Sequence, residues 1–259
     1  MIQDLPFLNK TILVTGSGRG IGRAIALHFA SLGADLIINF VRNEQPAREV
    51  YDEVKALGRH ALLVRANVGK LEDIDRLFDM ISTEFDGLDA FISNAAIGFN
   101  RPALAQKANG WDGTMNVNAR AFLFASQRAT PLMQKRGGGS IVAISSPGAY
   151  HVLPEYISVG ASKAALDALV RYLAVELAPL NITVNAVSPG MVLTDALEHF
   201  SALSDGKMKD RAIDLTPAGR LTTPEDVAGV VAFLCSPAAY MIRGQVIVVD
   251  GGFTLQTAR

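Results

Sequence analysis

The sequence predicts an α/β protein with one doubly wound parallel sheet, folded as a single domain over residues 1–259. Short apolar segments rich in β-branched residues alternate with longer segments of helical periodicity along the whole chain. The first apolar segment leads into a glycine-rich turn and then a helix, and the alternation contains no internal repeat or low-complexity stretch. A parallel sheet with helices on both faces is the simplest fold for this pattern.

The individual elements follow from the same periodicities. Strands are expected at the apolar segments, residues 11–14, 35–40, 60–66, 88–93, 140–144, 182–187 and 245–249. The first helix is expected to follow the glycine-rich turn and to end near residue 32. Further helices are expected at 46–57, 71–85 and 111–135, and from just after Pro154 to about 177. Thr223, followed by a proline and two acidic residues, predicts the start of a last helix. Residues 191–215 lack a clear period, and we expect them to be an irregular lid over the substrate.

Composition excludes several classes of protein. The 259 residues are 49% hydrophobic and 19% charged, and the formal net charge of −1 offers no basic surface for nucleic acid. No window holds 18 uninterrupted apolar residues, and the N-terminus lacks the pattern of a signal peptide. The single cysteine, Cys235, cannot form an internal disulfide and is expected to pack a helix. No cluster has metal-ligand spacing. We therefore expect a cytoplasmic protein without membrane insertion, nucleic-acid partner or metal.

The glycine-rich turn after the first strand is a candidate phosphate cradle. Gly16, Gly20 and Gly22 are spaced Gly-x3-Gly-x-Gly and lead directly into the first helix. Glycines allow the backbone to approach a pyrophosphate, and the N–H groups of a helix start carry partial positive charge. A tight structural turn is the alternative explanation.

The residues after the second strand bear on the choice of cofactor. Proteins that bind NAD usually carry an acid here to hold the adenosine ribose. This chain has Asn39, Phe40, Val41 and Arg42 instead. With no carboxylate present, Arg19 and Arg42 are available to hold a 2′-phosphate, so NADPH is expected rather than NADH. The alternative is that both arginines are solvated surface charges.

Two asparagine-containing segments also mark the predicted cofactor edge. Asn94, Ala95 and Ala96 form a small-residue turn after the fourth strand, suited to lie under a flat cofactor or simply to end the strand compactly. The long helix that follows contains Asn116 and Asn118, which reduce helix propensity. We therefore expect at least one of them to bond backbone or water.

The segment from residue 145 to 163 carries the candidate catalytic groups. Tyr156 and Lys163 are seven residues apart, which places them on one face of a helix with about 10 Å of rise between them. A phenol and an ammonium facing one cleft are a plausible acid and the group that tunes its pKa. Alternatively, Tyr156 is a half-buried aromatic residue of the first helical turn, and Tyr150 is the donor or a substrate contact.

These motifs, taken in order, resemble the short-chain dehydrogenase/reductase superfamily. The resemblance rests on the glycine turn after Thr15, Asn94-Ala95-Ala96, Asn118, Ser145-Ser146, Lys163 and Pro189-Gly190. The chain departs from the family pattern at Ser93 and at Asn67-Val68, where the family usually has asparagine and Asp-Val. It also has Val159 at the position of the usual catalytic tyrosine.

The spacing Tyr156-x6-Lys163 is similar to that of the NADPH-dependent bacterial enoyl-acyl-carrier-protein reductases of this superfamily. This resemblance implies a Rossmann-type dinucleotide-binding fold, a role in fatty-acid biosynthesis, an acyl-carrier-protein partner and a homotetramer built from the two long helices and the last strand. It implies that Tyr156 is the acid and that Lys163 holds the nicotinamide ribose and lowers the pKa of the phenol. Asn118 and Ser146 take the family's proton-relay and substrate-hydroxyl positions. The resemblance implies cofactor contacts at Gly16, Arg19, Gly20, Ile21, Gly22, Asn67, Val68, Asn94, Lys163, Val192 and Thr194. Asn39, Arg42, Ala95, Pro189 and Gly190 complete the candidate cofactor contacts, and the candidate substrate contacts are Tyr150 and Tyr156.

The location of the phenol at Tyr156, three residues before the usual position, has a physical explanation. In a ketone, the carbon that accepts hydride bears the oxygen that is protonated, whereas in a 2-enoyl thioester the charge collects on an oxygen two bonds further away. Three helical residues displace a side chain by about 4.5 Å along the axis. Tyr156 then suits the enolate oxygen of an enoyl thioester.

Two other functions fit the sequence. A carbonyl or 3-oxoacyl-thioester reductase would use Tyr156 or Tyr150 together with Asn118 and Ser146. A nucleotide-binding protein that lost catalysis with the tyrosine at position 159 is the third hypothesis.

Overall fold

The computed structural model describes residues 5–192 and 206–256. Within these ranges, seven parallel strands form one sheet in the order β3-β2-β1-β4-β5-β6-β7. The strands are β1 Thr11–Val14, β2 Asp35–Phe40, β3 Ala61–Arg65, β4 Ala90–Ser93, β5 Gly139–Ile144, β6 Ile182–Pro189 and β7 Val246–Val249. The doubly wound parallel sheet predicted from the sequence is therefore confirmed.

Helices cover both faces of the sheet. They are α1 Gly20–Ser31, α2 Glu44–Ala56, α3 Leu71–Glu84, α4 Ala108–Met115, α5 Ala121–Lys135, α6 Ile157–Glu176, α7 Gly206–Asp214 and α8 Pro224–Leu234. Alternate residues of each strand enter opposite cores, because successive side chains of a strand point to opposite faces. Ile12 and Val14 of β1 pack in the core that includes residues of α1 and α8. Leu13 packs in the core that includes residues of α3, α5 and α6.

Three predicted elements differ from the observed ones. The helix predicted at 111–135 begins three residues earlier, and a π-helical turn at Asn116–Arg120 joins α4 to α5. The segment predicted as irregular from 191 to 215 contains α7, so that prediction is wrong for Gly206–Asp214. The remainder of the predicted lid, residues 193–205, lies outside the described residues. The sixth helix begins at Ile157, and Tyr156 is its N-cap.

The start of α8 follows the predicted chemistry. The Thr223 hydroxyl accepts a hydrogen bond from the Asp226 N–H, and the Asp226 carboxylate accepts one from the Thr223 N–H. This reciprocal capping box satisfies two donors that a helix start otherwise leaves unpaired. The sequence-based prediction of this helix start is confirmed.

The sheet order places a ligand site at the carboxyl ends of the central strands. β1 pairs with β2 on one side and with β4 on the other, so the direction of winding reverses between β1 and β4. Open α/β sheets bind ligands at such a reversal. None of the helices within the described ranges combines the length and apolar character that a membrane crossing requires.

Candidate active site

The turn between β1 and α1 has room only for glycine at its key positions. Gly16 and Gly20 have φ values of +64° and +54°, in the left-handed region that glycine adopts at little cost. At Gly22, a Cβ atom would lie 2.4 Å from the Gly16 carbonyl oxygen. The turn therefore brings bare backbone to the start of α1, as a phosphate site requires.

Two asparagines hold this turn in place. The Asn94 amide donates to the carbonyl oxygens of Thr15 and Gly16, at 2.9 and 3.1 Å. The Thr15 hydroxyl accepts hydrogen bonds from the backbone N–H groups of Asn94 and Ala95. The Asn39 side chain is fully buried, accepts from the Gly16 N–H and donates to the Ala66 carbonyl. The expectation that Asn39 contacts the cofactor is corrected, since its buried amide supports the turn from behind.

The first turn of α1 fits an anionic ligand. Its N-cap is Arg19, which makes no side-chain capping hydrogen bond, so the N–H groups of Gly20, Ile21 and Gly22 receive no cap from that residue. The side chains of Arg19 and Arg42 are exposed, and neither forms an ion pair within the described residues. Arg42 follows β2, the strand beside β1, so both guanidinium groups follow neighbouring strands. These residues fit the diphosphate of a dinucleotide.

The other residues expected to contact the cofactor lie at the same edge of the sheet. Asn67 and Val68 follow β3, where the Asn67 side chain accepts a hydrogen bond from the Gly69 N–H and the Val68 side chain is buried. Pro189 ends β6, and a Cβ on Gly190 would lie 2.8 Å from the Cβ of Asp250. The Val192 side chain is buried, which leaves only its backbone for a ligand. Thr194 lies outside the described residues.

Tyr156 is half-buried at the N-terminus of α6. Its carbonyl accepts the first bond of the helix from the Gly160 N–H, at 2.8 Å. The ring lies against Gly148, where an added Cβ would come within 2.6 Å of the ring carbon Cδ1. The preceding Glu155 has a φ of +60°, uncommon for a residue with a side chain, and its carbonyl accepts a bond from the Arg101 N–H. The turn before the helix is thus tied to the loop that follows β4.

Val159 occupies the position of the usual catalytic tyrosine and faces protein. Its side chain is 5% exposed. A Cβ on Gly98 would lie 2.1 Å from the Cγ2 atom of Val159, so the loop after β4 packs directly on this side chain. The space that the usual phenol would need is filled.

Lys163 is buried in the same helix. Its side chain is 5% exposed, and its Nζ donates a hydrogen bond to the Ile144 carbonyl at 2.6 Å. Burial lowers the pKa of Lys163 to about 8, and the negative charge of Asp167 opposes that shift. The lysine therefore carries its charge at neutral pH and loses it near pH 8.

The ionisation of Tyr156 differs from the sequence-based expectation. Burial raises the pKa of the Tyr156 phenol, and a side-chain hydrogen bond with Ser146 opposes the rise. The expectation that Lys163 makes the phenol more acidic is therefore wrong, because the cost of burying a phenolate dominates. The phenol is neutral at pH 7 and can donate a hydrogen bond or a proton.

Ser146 and Asn118 differ in the hydrogen bonds that their side chains already make within the protein. The Ser146 hydroxyl interacts with Tyr156 and accepts a bond from the Gly148 N–H at 3.2 Å. The Asn118 amide donates to the Ile97 carbonyl and to the Ser162 hydroxyl, and its oxygen accepts from the Ile97 N–H. The predicted backbone bonding of one helical asparagine is confirmed, and the Asn118 side chain ties α6 to the loop after β4.

Tyr150 lies at the mouth of the site. It is 53% exposed, and its ring meets His151 edge-on with the ring centroids 5.8 Å apart. Burial raises the pKa of its phenol, the nearby Ser188 hydroxyl lowers it, and the charge of Asp167 raises it. The hydroxyl therefore points towards the end of β6.

Sequence reasoning gave no role to three polar residues that are buried at this centre, Ser145, Asp167 and Ser188. Asp167 follows Lys163 by four residues, so the two lie on one face of α6. That spacing, with a carboxylate among apolar residues, was a signal available in the sequence. Ser145 and Ser188 directly follow paired residues of β5 and β6.

The sequence and the fold are similar to those of known reductases and dehydrogenases. A family model described as "Enoyl-(Acyl carrier protein) reductase" matches residues 16–254. The 1-cyclohexenylcarbonyl-CoA reductase of Streptomyces collinus is 37% identical over 243 residues, covering 94% of this chain and 86% of that protein. The hydroxynaphthalene reductase-like protein Arp2 of Metarhizium anisopliae (strain ARSEF 549) is 37% identical over 253 residues, covering 94% of each chain.

A solved structure of high similarity is a 7α-hydroxysteroid dehydrogenase complexed with NADH and 7-oxo glycochenodeoxycholic acid. It has a TM-score of 0.90 and 34% sequence identity, and 97% of each chain is covered. The fold and the relatives define the class of protein, an oxidoreductase of the reductase type. The chain belongs to the short-chain dehydrogenase/reductase family.

Proposed function

We propose that the protein is an NADPH-dependent reductase of 2-enoyl thioesters, which saturates the trans-2 double bond in fatty-acid biosynthesis. The observation that carries this proposal is the location of the phenol. Tyr156 stands at the start of α6 against Gly148 and Ser146, whereas the usual tyrosine position holds the buried Val159. A phenol moved towards the helix start suits an oxygen remote from the carbon that is reduced.

The chain's own groups supply the polar part of this reaction. NADPH, when bound, supplies the hydride. Tyr156, neutral because burial raises the pKa of its phenol, donates a hydrogen bond to the thioester oxygen and stabilises the charge that develops there. Lys163, charged below about pH 8, favours that same negative charge. The Ser146 hydroxyl orients the phenol through their hydrogen bond.

Two comparisons support this substrate class. The matched family model is described as an enoyl-acyl-carrier-protein reductase. The Streptomyces collinus relative is named for a substrate whose ring double bond is conjugated to a thioester carbonyl. Both descriptions involve an alkene beside a thioester, the arrangement that Tyr156 fits.

Reduction of a carbonyl group is the second candidate. The hydrogen bond between Ser146 and Tyr156 favours it, because a hydroxyl beside the acid suits a ketone oxygen. The similar steroid dehydrogenase structure contains a 7-oxo ligand, which is a ketone. In this candidate function Tyr156 or Tyr150 protonates the oxygen on the reduced carbon.

A paired assay separates the candidates. NADPH oxidation is followed by absorbance with a trans-2-enoyl thioester and, separately, with an acetoacetyl thioester, each on coenzyme A and on acyl carrier protein. Turnover of the enoyl substrate is expected, with preference for the carrier-protein form. Turnover of the acetoacetyl substrate alone would contradict the proposal. Tight NADPH binding without reduction of either substrate would indicate a nucleotide-binding protein without catalysis.

The choice of NADPH and the cytoplasmic location belong to the same proposal. The exposed Arg19 and Arg42 and the lack of an acid after β2 support NADPH over NADH. Fatty-acid biosynthesis on a soluble carrier protein supports a cytoplasmic location.

A homotetramer is proposed as the working assembly. Tyr172 and Val175 leave apolar surface exposed on α6, and Val248 and Leu255 do so on and beyond β7. Exposed apolar residues clustered on a helix and an edge strand favour contact with another copy. Light scattering should give a mass about four times that of the chain, and a monomer at working concentration would contradict this assembly.

A further inference from the structure

A cluster of buried polar side chains lies one helical turn beyond Lys163. The Asp167 side chain is 4% exposed, and neither carboxylate oxygen has a hydrogen-bond partner within the described residues. The hydroxyls of Ser145 and Ser188 are also buried: Ser145 lies beside the Asp167 carboxylate and Ser188 beside the Tyr150 hydroxyl, but neither contact has the geometry of a hydrogen bond. Four buried oxygen atoms of three side chains are thus left unsatisfied by the protein.

The three side chains come from neighbouring elements. Ile144 pairs with Val187 across β5 and β6, and the Ser145 N–H donates to the Val187 carbonyl at 2.7 Å. Ser145 and Ser188 therefore stand side by side at the carboxyl ends of adjacent strands. Helix α6 packs on β6, and the Ser145 side chain approaches the Asp167 carboxylate closely enough to lower its pKa, against the larger effect of burial.

Unsatisfied buried oxygen atoms that converge in this way indicate ordered water. Native proteins pair nearly all buried polar atoms, and those without a protein partner are usually bonded to water. A buried water needs two to four polar partners. We call these three side chains, Ser145, Asp167 and Ser188, the buried polar cluster.

The buried polar cluster adjoins Lys163, because Asp167 lies on the same face of α6 as the lysine. Asp167 is one helical turn beyond Lys163, and side chains four residues apart on a helix lie on one face with Cβ atoms about 6 Å apart. The Lys163 amine points to the Ile144 carbonyl and forms no ion pair with a carboxylate within the described residues. The other charged group that influences Asp167 is the exposed Arg171 on the same helix, and the Asp167 charge in turn raises the pKa of the Tyr150 phenol at the cleft mouth.

We propose that Asp167 is a positioning residue of the active centre: with water held by Ser145 and Ser188, its carboxylate keeps the buried Lys163 in its charged form during turnover. A buried ammonium is costly without a nearby anion. Asp167 supplies that anion through the intervening water and not by a direct ion pair. The lysine amine therefore stays directed at the Ile144 carbonyl. The proposal rests on the proposed function only for the catalytic use of Lys163.

The ionisation of Lys163 can be measured without substrate or cofactor. Protein with 13Cε-labelled lysine is titrated by NMR, and the Lys163 resonance is assigned by its loss in Lys163→Met. The wild-type inflection is expected near pH 8. In Asp167→Asn it should fall by about one pH unit or more, because a neighbouring opposite charge is removed. Asp167→Glu, which keeps the charge, should restore most of the shift.

Asp52→Asn is the matched control. It removes an acidic charge from the exposed face of α2, away from α6, and should leave the inflection unchanged. If Asp167→Asn fails to fold, Ser145→Ala combined with Ser188→Ala removes the groups that hold the water and should lower the inflection in the same direction. An unchanged inflection in the folded Asp167 or serine variants would overturn the proposal.

The same variants then test whether Asp167 affects catalysis through the charge of Lys163. The pH above which turnover falls should move down with the Lys163 inflection in Asp167→Asn, for whichever substrate the enzyme reduces. A shifted inflection with an unmoved turnover profile would overturn the role in catalysis. An enzyme that reduces only ketones would contradict the proposed function while leaving this inference intact, because the titration contains no substrate.

Discussion

At the residue scale, the candidate chemistry depends on two side chains whose ionisation is set mainly by burial. Burial raises the pKa of the Tyr156 phenol and lowers the pKa of the Lys163 amine to about 8. Both effects arise because the less polar interior disfavours a charged group. At neutral pH the site therefore presents a neutral phenol and a charged amine.

Replacing the phenol tests its role directly. Tyr156→Phe should lower kcat about 100-fold or more while NADPH affinity changes little, because the ring still fills the space against Gly148 but donates no hydrogen bond. Steady-state kinetics with an enoyl thioester and fluorescence titration of NADPH measure the two effects. Tyr240→Phe, at an exposed position on the 3₁₀ turn after α8, is the control and should retain full activity. Equal activity in Tyr156→Phe and wild type would contradict the assignment.

The lysine predicts opposite pH trends for activity and stability. Activity should fall about tenfold per pH unit above about pH 8, as the Lys163 ammonium is lost. Between about pH 8 and the ordinary lysine value of 10.5, the unfolded chain binds the proton more tightly, so the contribution of Lys163 to stability should rise with pH. Turnover profiles and urea unfolding at pH 8 and pH 10, compared with Lys163→Met, measure both trends. A stability difference between wild type and Lys163→Met that is independent of pH would contradict this interpretation.

The sequence was sufficient to identify these two side chains but not their environment. The spacing of Tyr156 and Lys163 placed both groups at one strand-to-helix crossing. Sequence reasoning predicted a phenol made more acidic by the lysine, whereas burial moves its pKa the other way. The Tyr156 ring packs on Gly148, eight residues earlier, and Val159 of the same helix packs on Gly98, which is distant in sequence and meets the helix only in the folded chain.

At the element scale, the start of α6 is fixed by contacts with two loops. Glu155 adopts a left-handed conformation and accepts a bond from the Arg101 N–H, and Tyr156 then caps the helix. The ring of Tyr156 lies against Gly148 in the loop after β5. The position of the phenol is therefore a property of these loops as much as of the helix.

Adding one methyl group to the loop should displace the phenol. In Gly148→Ala the new Cβ would lie 2.6 Å from a ring carbon of Tyr156, so either the ring or the loop must move. We expect a loss of kcat of at least tenfold, since a displacement of about 1 Å from the reacting geometry can cost up to about 100-fold.

Gly229→Ala is the matched control for that substitution. Gly229 lies in α8 with no atom within 4 Å of an added Cβ. Alanine should stabilise the helix by about 0.5–1 kcal/mol and leave kcat unchanged. Kinetics and thermal unfolding of both variants give the comparison. An unchanged kcat in Gly148→Ala would show that the phenol does not depend on this contact.

The capping box of α8 predicts a loss of stability in acid. Hydrogen bonds from Arg220 hold the pKa of Asp226 well below its usual range, so its contribution is present above about pH 4 and is lost as the pH falls further. Asp226→Asn should flatten the dependence of unfolding free energy on pH below about pH 4. Thr223→Ala should cost about 1 kcal/mol at neutral pH. Urea unfolding between pH 3 and pH 7 measures both, and an unaltered acid slope in Asp226→Asn would contradict the assignment.

Element boundaries were predicted well where local chemistry determines them. The start of α8 followed from Thr223 and the residues after it. The π-helical turn at Asn116–Arg120 was not predictable, because it forms where Asn118 bonds to Ile97 and Ser162 of other segments. The same bonds explain why a residue of low helix propensity is kept inside a long helix.

At the scale of the whole molecule, the sheet order brings the candidate cofactor residues together. Arg19 follows β1 and Arg42 follows β2, which pair in parallel, so two side chains 23 positions apart lie at the same edge. The alternation of strands and helices predicted this arrangement, since parallel neighbours end on the same side. It could not predict that Asn39, between them, is buried beneath the glycine turn.

The proposed preference for NADPH over NADH can be tested at this edge. Arg42→Ala should raise the KM for NADPH about tenfold, by removing a charged donor to the 2′-phosphate, and should change the KM for NADH little. Arg48→Ala on α2, which removes an exposed arginine paired with Glu44, is the control. Steady-state kinetics with both cofactors measure the effect. A similar change for NADPH and NADH would contradict recognition of the phosphate by Arg42.

The contact between Val159 and Gly98 limits how the site can be redesigned. A Cβ on Gly98 would lie 2.1 Å from the Cγ2 atom of Val159, so the loop after β4 rests on this side chain. Because Val159 is only 5% exposed, a larger residue at this position must displace that loop or its own helix. Moving the phenol back to position 159 therefore requires compensating changes in the loop as well as the substitution itself.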